Sequence, residues 1–159
     1  MDFSRINSTG RGLRALSFVM GAFLLLMGVN KIQWLTDSEF LVYELNQWLG
    51  LAPEISRLYL ETIAIPGAHF FAPLVVLGEL FAGAALMLGY RVRSTAMMAL
   101  VMVLNFHFAS GIIFTFGYLT NGYGPPVIGS LLALGIDIDS PGYQRCDSRL
   151  LIKSTTRTC

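Results

Sequence analysis

The chain has 159 residues, 54% of them hydrophobic and 13% charged, with a net charge of +1 and a mean hydropathy of +0.61. That charge content is about half the ~25% usual in soluble domains, and the length leaves no room for a separate soluble domain beside a membrane bundle. No basic stripe with interleaved aromatics occurs, which argues against nucleic acid as a partner.

Residues 1–12 are polar, contain Gly and Ser, and are expected to fray. The run Leu13–Leu35 follows, about 23 residues long, against ~7–15 for a signal h-region, and it ends in Asn30, Lys31 and Gln33 rather than a small-residue cleavage site. It reads as a retained first span, with Trp34 and Tyr43 placed for an interfacial aromatic belt. Residues 37–66 mix Phe40, Leu41, Leu45 and Trp48 with Glu39, Glu44, Asn46 and Gln47, the pattern of an amphipathic helix at the membrane surface. Pro53 starts a second helical stretch there, and Pro66-Gly67 ends it. The segment is acidic, so it is expected to cap the bundle or dock a partner rather than bind anionic lipid.

Spans two (70–90) and three (95–118) are joined by the few residues Gly89–Arg93, which forces an antiparallel hairpin. Gly117–Gly124 makes the return loop to a fourth span at 121–138, whose clearly apolar part is Val127–Ile136 behind Pro125-Pro126. The tail 139–159 is polar and is expected along the cytoplasmic surface, where Cys146 and Cys159 would stay reduced.

Threading these runs through a bilayer sorts the charges. Arg5, Arg11, Arg14, Arg91, Arg93, Arg145, Arg149, Lys153 and Arg157 fall on one side, with Arg91 and Arg93 at the headgroups. Asp37, Glu39, Glu44, Glu54 and Glu61 fall on the other, with Arg57 as its clear base. Cytoplasmic loops collect Lys and Arg in this way, so both termini are expected inside. The fold class is therefore all-α: a four-helix transmembrane bundle forming one membrane domain over 1–159, with an amphipathic interfacial segment between spans one and two.

Glu79 is the outstanding candidate for chemistry. It lies ten residues past His69, about 15 Å along a helix and so near the bilayer midplane. A carboxylate there costs about 2.5–3.5 kcal/mol unless it is protonated, paired or facing a wet cavity. Gly78, Ala82 and Gly83 beside it would let another helix approach. Two readings stay open: a proton-handling group in a ligand pocket, and a structural interhelical hydrogen bond. Asn105 and His107 lie at similar depth on span three but about 200° apart, so only one can face inward. His107 is the favoured partner for Glu79, as a proton relay to a quinone carbonyl or as a polar lock. Lys31 is expected to snorkel to the outer interface, where His69 could meet it. No metal-ligand spacing, haem site, phosphate loop or nucleotide fingerprint occurs.

The block from Leu77 to Arg93, with its Gly78-Glu79-Leu80 start, Gly83, Gly89 and closing arginine, continues into Asn105-Phe106 and resembles the DoxX/DoxD family. Gly28 and Lys31 at the end of span one resemble that family's Gly-x-x-Lys, and Gly135 with its polar tail resembles its C-terminal end. The resemblance implies a four-helix bacterial inner-membrane protein whose polar residues are Lys31, Glu79, Arg93 and Asn105. Some members are small subunits of a thiosulfate:quinone oxidoreductase, and others accompany terminal oxidases or redox-stress assemblies. The implied role is an accessory subunit of a quinone-linked redox complex, with partner subunits, a quinone as the only cofactor and none bound covalently. A non-enzymatic scaffold or assembly factor is the alternative, since one fold hosts several roles. A transporter ranks last, because no inverted repeat or broken helix is visible.

Overall fold

The computed structural model describes residues 3–136, with side-chain surroundings from residue 10 onward. The expected tail, with Cys146 and Cys159, lies outside the described residues. Helices α1 (Phe3–Asn30), α4 (Ala68–Leu88) and α5 (Val92–Ala109) are the long ones, and α6 (Pro125–Ile136) closes the described chain. Between α1 and α4 lie a 3-10 turn (Ile32–Leu35), α2 (Glu39–Leu49) and α3 (Glu54–Tyr59), the last continued by a π turn over Leu60–Ala64. No strand occurs among the described residues.

Three segments are long and apolar enough to cross a membrane: Gly10–Asn30, Ala68–Leu88 and Val92–Ala109. α6 is shorter, with 12 residues. Large apolar side chains project outward from all three long helices, among them Leu26, Phe81 and Met98, each more than two-thirds exposed. In water such a surface would aggregate; in lipid it is the expected outer face.

Several boundaries differ from the hydropathy runs. α1 begins at Phe3, because no proline interrupts the polar N-terminal stretch and Gly10 and Gly12 are tolerated within the helix. The first span ends at Asn30 rather than at 35, where the chain turns into the 3-10 segment. α5 stops at Ala109, nine residues before the end of its apolar run. Ser110 and Gly111 turn the chain there, with Gly111 in the left-handed region at φ 72°. A Cβ at Gly111 would lie 2.6 Å from Pro53 Cδ, so the turn also seats the α2–α3 connection.

α1 and α4 run antiparallel in backbone contact. A Cβ on Gly21 would sit 2.7 Å from the Gly83 carbonyl oxygen, and one on Gly83 would sit 2.6 Å from the Leu25 amide nitrogen. Small residues permit this approach where lipid supplies no hydrophobic drive between helices. Ser17 Oγ donates to the Leu86 carbonyl (2.7 Å), and Arg14 Nη2 donates to the carbonyls of Met87 (3.2 Å) and Leu88 (3.1 Å). The Met87 and Leu88 carbonyls lie in the last turn of α4, where helical partners run out, and the Leu86 carbonyl accepts from Ser17 beside the Gly89 N–H.

The buried side chains form two clusters. Leu24, Leu86, Ala96 and Leu131 belong to one that joins α1, α4, α5 and α6. Leu41, Leu45, Leu60, Ala64 and Ala72 belong to the other, where α2, α3 and the π turn lie over the first half of α4 and the end of α5. The amphipathic segment is thus a cap on one end of the helices. The Gly89–Arg91 turn marks the opposite end.

Candidate functional site

Glu79 lies halfway along α4 and is 5% exposed. Its two carboxylate oxygens accept hydrogen bonds from Lys31 Nζ, Oε1 at 2.6 Å and Oε2 at 2.9 Å. Among the described residues this is the one ion pair within 4.0 Å. The ammonium also stands 5.8 Å from the Trp34 ring centroid and 5.6 Å from that of Phe106, within cation–π range of both. A carboxylate, an ammonium and two aromatic rings therefore share one small volume bounded by α1, the 3-10 turn, α4 and α5.

The stagger of α1 against α4 explains why Lys31 turns inward rather than snorkelling. Gly21 meets Gly83, and a Cβ on Gly28 would lie 3.0 Å from Leu80 and 3.2 Å from Glu79 Cβ. α1 therefore ends about half a turn beyond the level of Glu79, whereas α4 continues to Ala68, about 16 Å past it. Lys31 finds Trp34 and the cap above it and the carboxylate below. His69, at the start of α4, belongs to another contact: its Nδ1 meets Ser38 Oγ at the start of α2. Lys31 and His69 do not form a site.

His107 is not the partner of Glu79. The level of Glu79 on α5 is marked by Met102, whose sulfur lies 3.3 Å from a Cβ built on Gly78. His107 is five residues higher, about 7 Å along the helix. Its Nδ1 instead lies 3.0 Å from the Tyr118 hydroxyl, and the rings meet edge to face at 5.3 Å. Burial pushes the Tyr118 phenol above its ordinary pKa. Asn105 does not pair with Glu79 and accepts a hydrogen bond from the Tyr59 hydroxyl at 2.8 Å. A cavity of about 50 Å³ adjoins that pair, walled by Leu45, Trp48, Phe71 and Phe106. This volume suits water molecules or a methyl-sized group; an engineered cavity that takes benzene is ~150 Å³.

Sequence reasoning missed three contributors. Tyr59 and Ser17 carry no signal of their own in the sequence, and Arg14 stands there only as one of the sorted charges. A Ser and an Arg three residues apart (i, i+3) at the start of an apolar helix are the available signal for side chains that reach a neighbouring helix end. Arg91 and Arg93 lie exposed at the turn, with Arg91 in the left-handed region at φ 41°. Among the described residues no group of three His, Cys, Asp or Glu side chains gathers to hold a metal.

The comparison with protein families matches the DoxX model to residues 12–116, which spans α1 through α5 and all of the Lys31–Glu79 site. The chain belongs to the DoxX family. No match was found among curated proteins or among solved structures. As a DoxX-family membrane protein it is in contact with lipid, and the matched region ends before α6.

Proposed function

We propose that this DoxX-family chain is a four-span accessory subunit of a redox complex in the bacterial inner membrane, with both termini cytoplasmic. The Lys31–Glu79 pair clasps its first two spans. The observation that carries the structural half of this reading is the full engagement of Glu79. Both of its oxygens accept from one ammonium and the side chain is 5% exposed, so the acid serves the helix contact and is closed off from a ligand. α6 serves as the fourth span. At about 18 Å it is short of a ~30 Å core, but it packs on α5 and α1 and would return the basic tail to the side of Arg91 and Arg93.

The redox half rests on the family. The chain offers no evident redox centre of its own, so electrons would come from a partner subunit and pass to quinone in the assembled complex. The second reading, a quinone pocket built around Glu79, would need the packing around the buried carboxylate to open.

Purification from native membranes in mild detergent tests the proposal, with co-eluting subunits identified and quinone reduction measured. The chain is expected to elute with redox subunits and to show no quinone reduction alone. Glu79→Gln should lower protein level and complex activity in parallel. Elution alone from intact membranes contradicts the subunit role, and normal assembly with lost turnover supports the pocket instead.

A further inference from the structure

The end of the bundle that carries the α4–α5 turn collects arginines from two elements and no described carboxylate. Arg14 reaches across from α1 to Met87 and Leu88, and its guanidinium lies directly against Gly89. Arg91 and Arg93 follow in the turn, and Arg11 stands one helical turn before Arg14 on α1. Arg11, Arg14, Arg91 and Arg93 are all exposed. The described acids other than Glu79 (Asp37, Glu39, Glu44, Glu54 and Glu61) are in or beside the cap at the far end. The side chains outside the described residues are net basic in sequence, with Asp2, Asp137, Asp139 and Asp147 against Arg5, Arg145, Arg149, Lys153 and Arg157.

Directly below the arginines the surface is apolar. Leu88 is 77% exposed, Met98 74% and Phe18 51%, all within two turns of Arg14, Arg91 or Arg93. Cations above and bare hydrocarbon below match the two halves of one molecule, a phosphate carried on acyl chains. Guanidinium forks suit phosphate oxygens geometrically as well as by charge, and Arg14 is already held in place by two carbonyls.

We infer that this end of the molecule is a binding site for an anionic phospholipid, its headgroup phosphate held by Arg14, Arg91 and Arg93 with Arg11 at the rim. Juxtamembrane arginines attract anionic lipid with a strength that corresponds to about fivefold in affinity for each charge, and salt weakens the attraction. The inference needs the turn to lie at a headgroup surface but does not depend on any redox role.

Native mass spectrometry of the full chain in mild detergent tests it, titrating phosphatidylglycerol against phosphatidylcholine of identical acyl chains. Phosphatidylglycerol should bind at least 25-fold more tightly. Arg91→Gln/Arg93→Gln should lose about 25-fold for phosphatidylglycerol and much less for phosphatidylcholine, whose phosphate charge is balanced by its own choline cation. Arg11→Gln/Arg93→Gln, with both changes at helical positions, should weaken phosphatidylglycerol in the same direction. Equal binding of the two lipids, or a preference that survives both variants, overturns the site. Complete displacement of phosphatidylglycerol by millimolar inorganic phosphate also overturns it, since it would show a free-anion site. Loss of the lipid preference leaves the membrane spans and the subunit role untouched.

Discussion

The turn end and the cap end of this bundle are held together by different chemistry. At the turn end and through the middle, α1 meets α4 at the level of the backbone: Gly21 against Gly83, Ser17 on a carbonyl, Arg14 on two more. At the cap end most ties run between side chains: Lys31 to Glu79, Tyr59 to Asn105, His107 to Tyr118, and Trp48 edge-on to Phe106 at 5.9 Å, with Ser56 on the Phe108 carbonyl as a backbone exception. In lipid, burial gives little drive between helices, so close approach of small residues and polar contacts must supply it. One end leans mainly on close backbone approach, and the other mainly on side-chain partners.

The largest effect is expected where charge is unpaired. Lys31→Met leaves the Glu79 carboxylate buried without its cation and should destabilise the protein by about 3 kcal/mol or more, read as unfolding by SDS in bicelles. A loss below about 1 kcal/mol would show that the carboxylate has another way to be satisfied. Next comes volume. Gly83→Leu forces α1 off α4 and should cost about 2–3 kcal/mol, with Gly83→Ala already damaging because a single Cβ meets the Leu25 backbone. Normal stability of Gly83→Leu would mean that the helices are not in backbone contact.

Single hydrogen bonds come third. Ser17→Ala and Tyr59→Phe should each lose about 1 kcal/mol, and Tyr59→Phe should also raise hydrogen exchange in α3 while Ser17→Ala does not. The smallest effect has the opposite sign. Arg91→Gly relieves a left-handed backbone and should stabilise the chain in neutral detergent by roughly 0.5–1 kcal/mol; any destabilisation there would argue that the Arg91 side chain is a structural tie.

Much of the helical layout was readable from residues alone. The apolar run ending at Gly89 and the two arginines after it mark the α4–α5 hairpin closely, and the mixed segment after Trp34 announces the cap. Hydropathy could not find the end of α5, because Ile112, Ile113 and Phe114 are as apolar as the helix they follow. The exceptional status of Glu79 was readable too, since one acid in an apolar run must be satisfied. Its partner was not. Whether Lys31 points outward or inward depends on the stagger fixed by Gly21 and Gly83, a contact between residues far apart in sequence. The same stagger decides that Met102, and not His107, stands at the level of Glu79. Facing angle alone could not settle a question of depth.

A double-mutant cycle over Lys31 and Glu79 addresses the clasp most directly, using Lys31→Met, Glu79→Leu and the combined variant in bicelles. The two singles should each cost about 3 kcal/mol and the double variant should return to within about 1 kcal/mol of the parent, a coupling of about 5 kcal/mol. Additive losses, with no coupling between the two positions, would contradict the pairing on which the site is built.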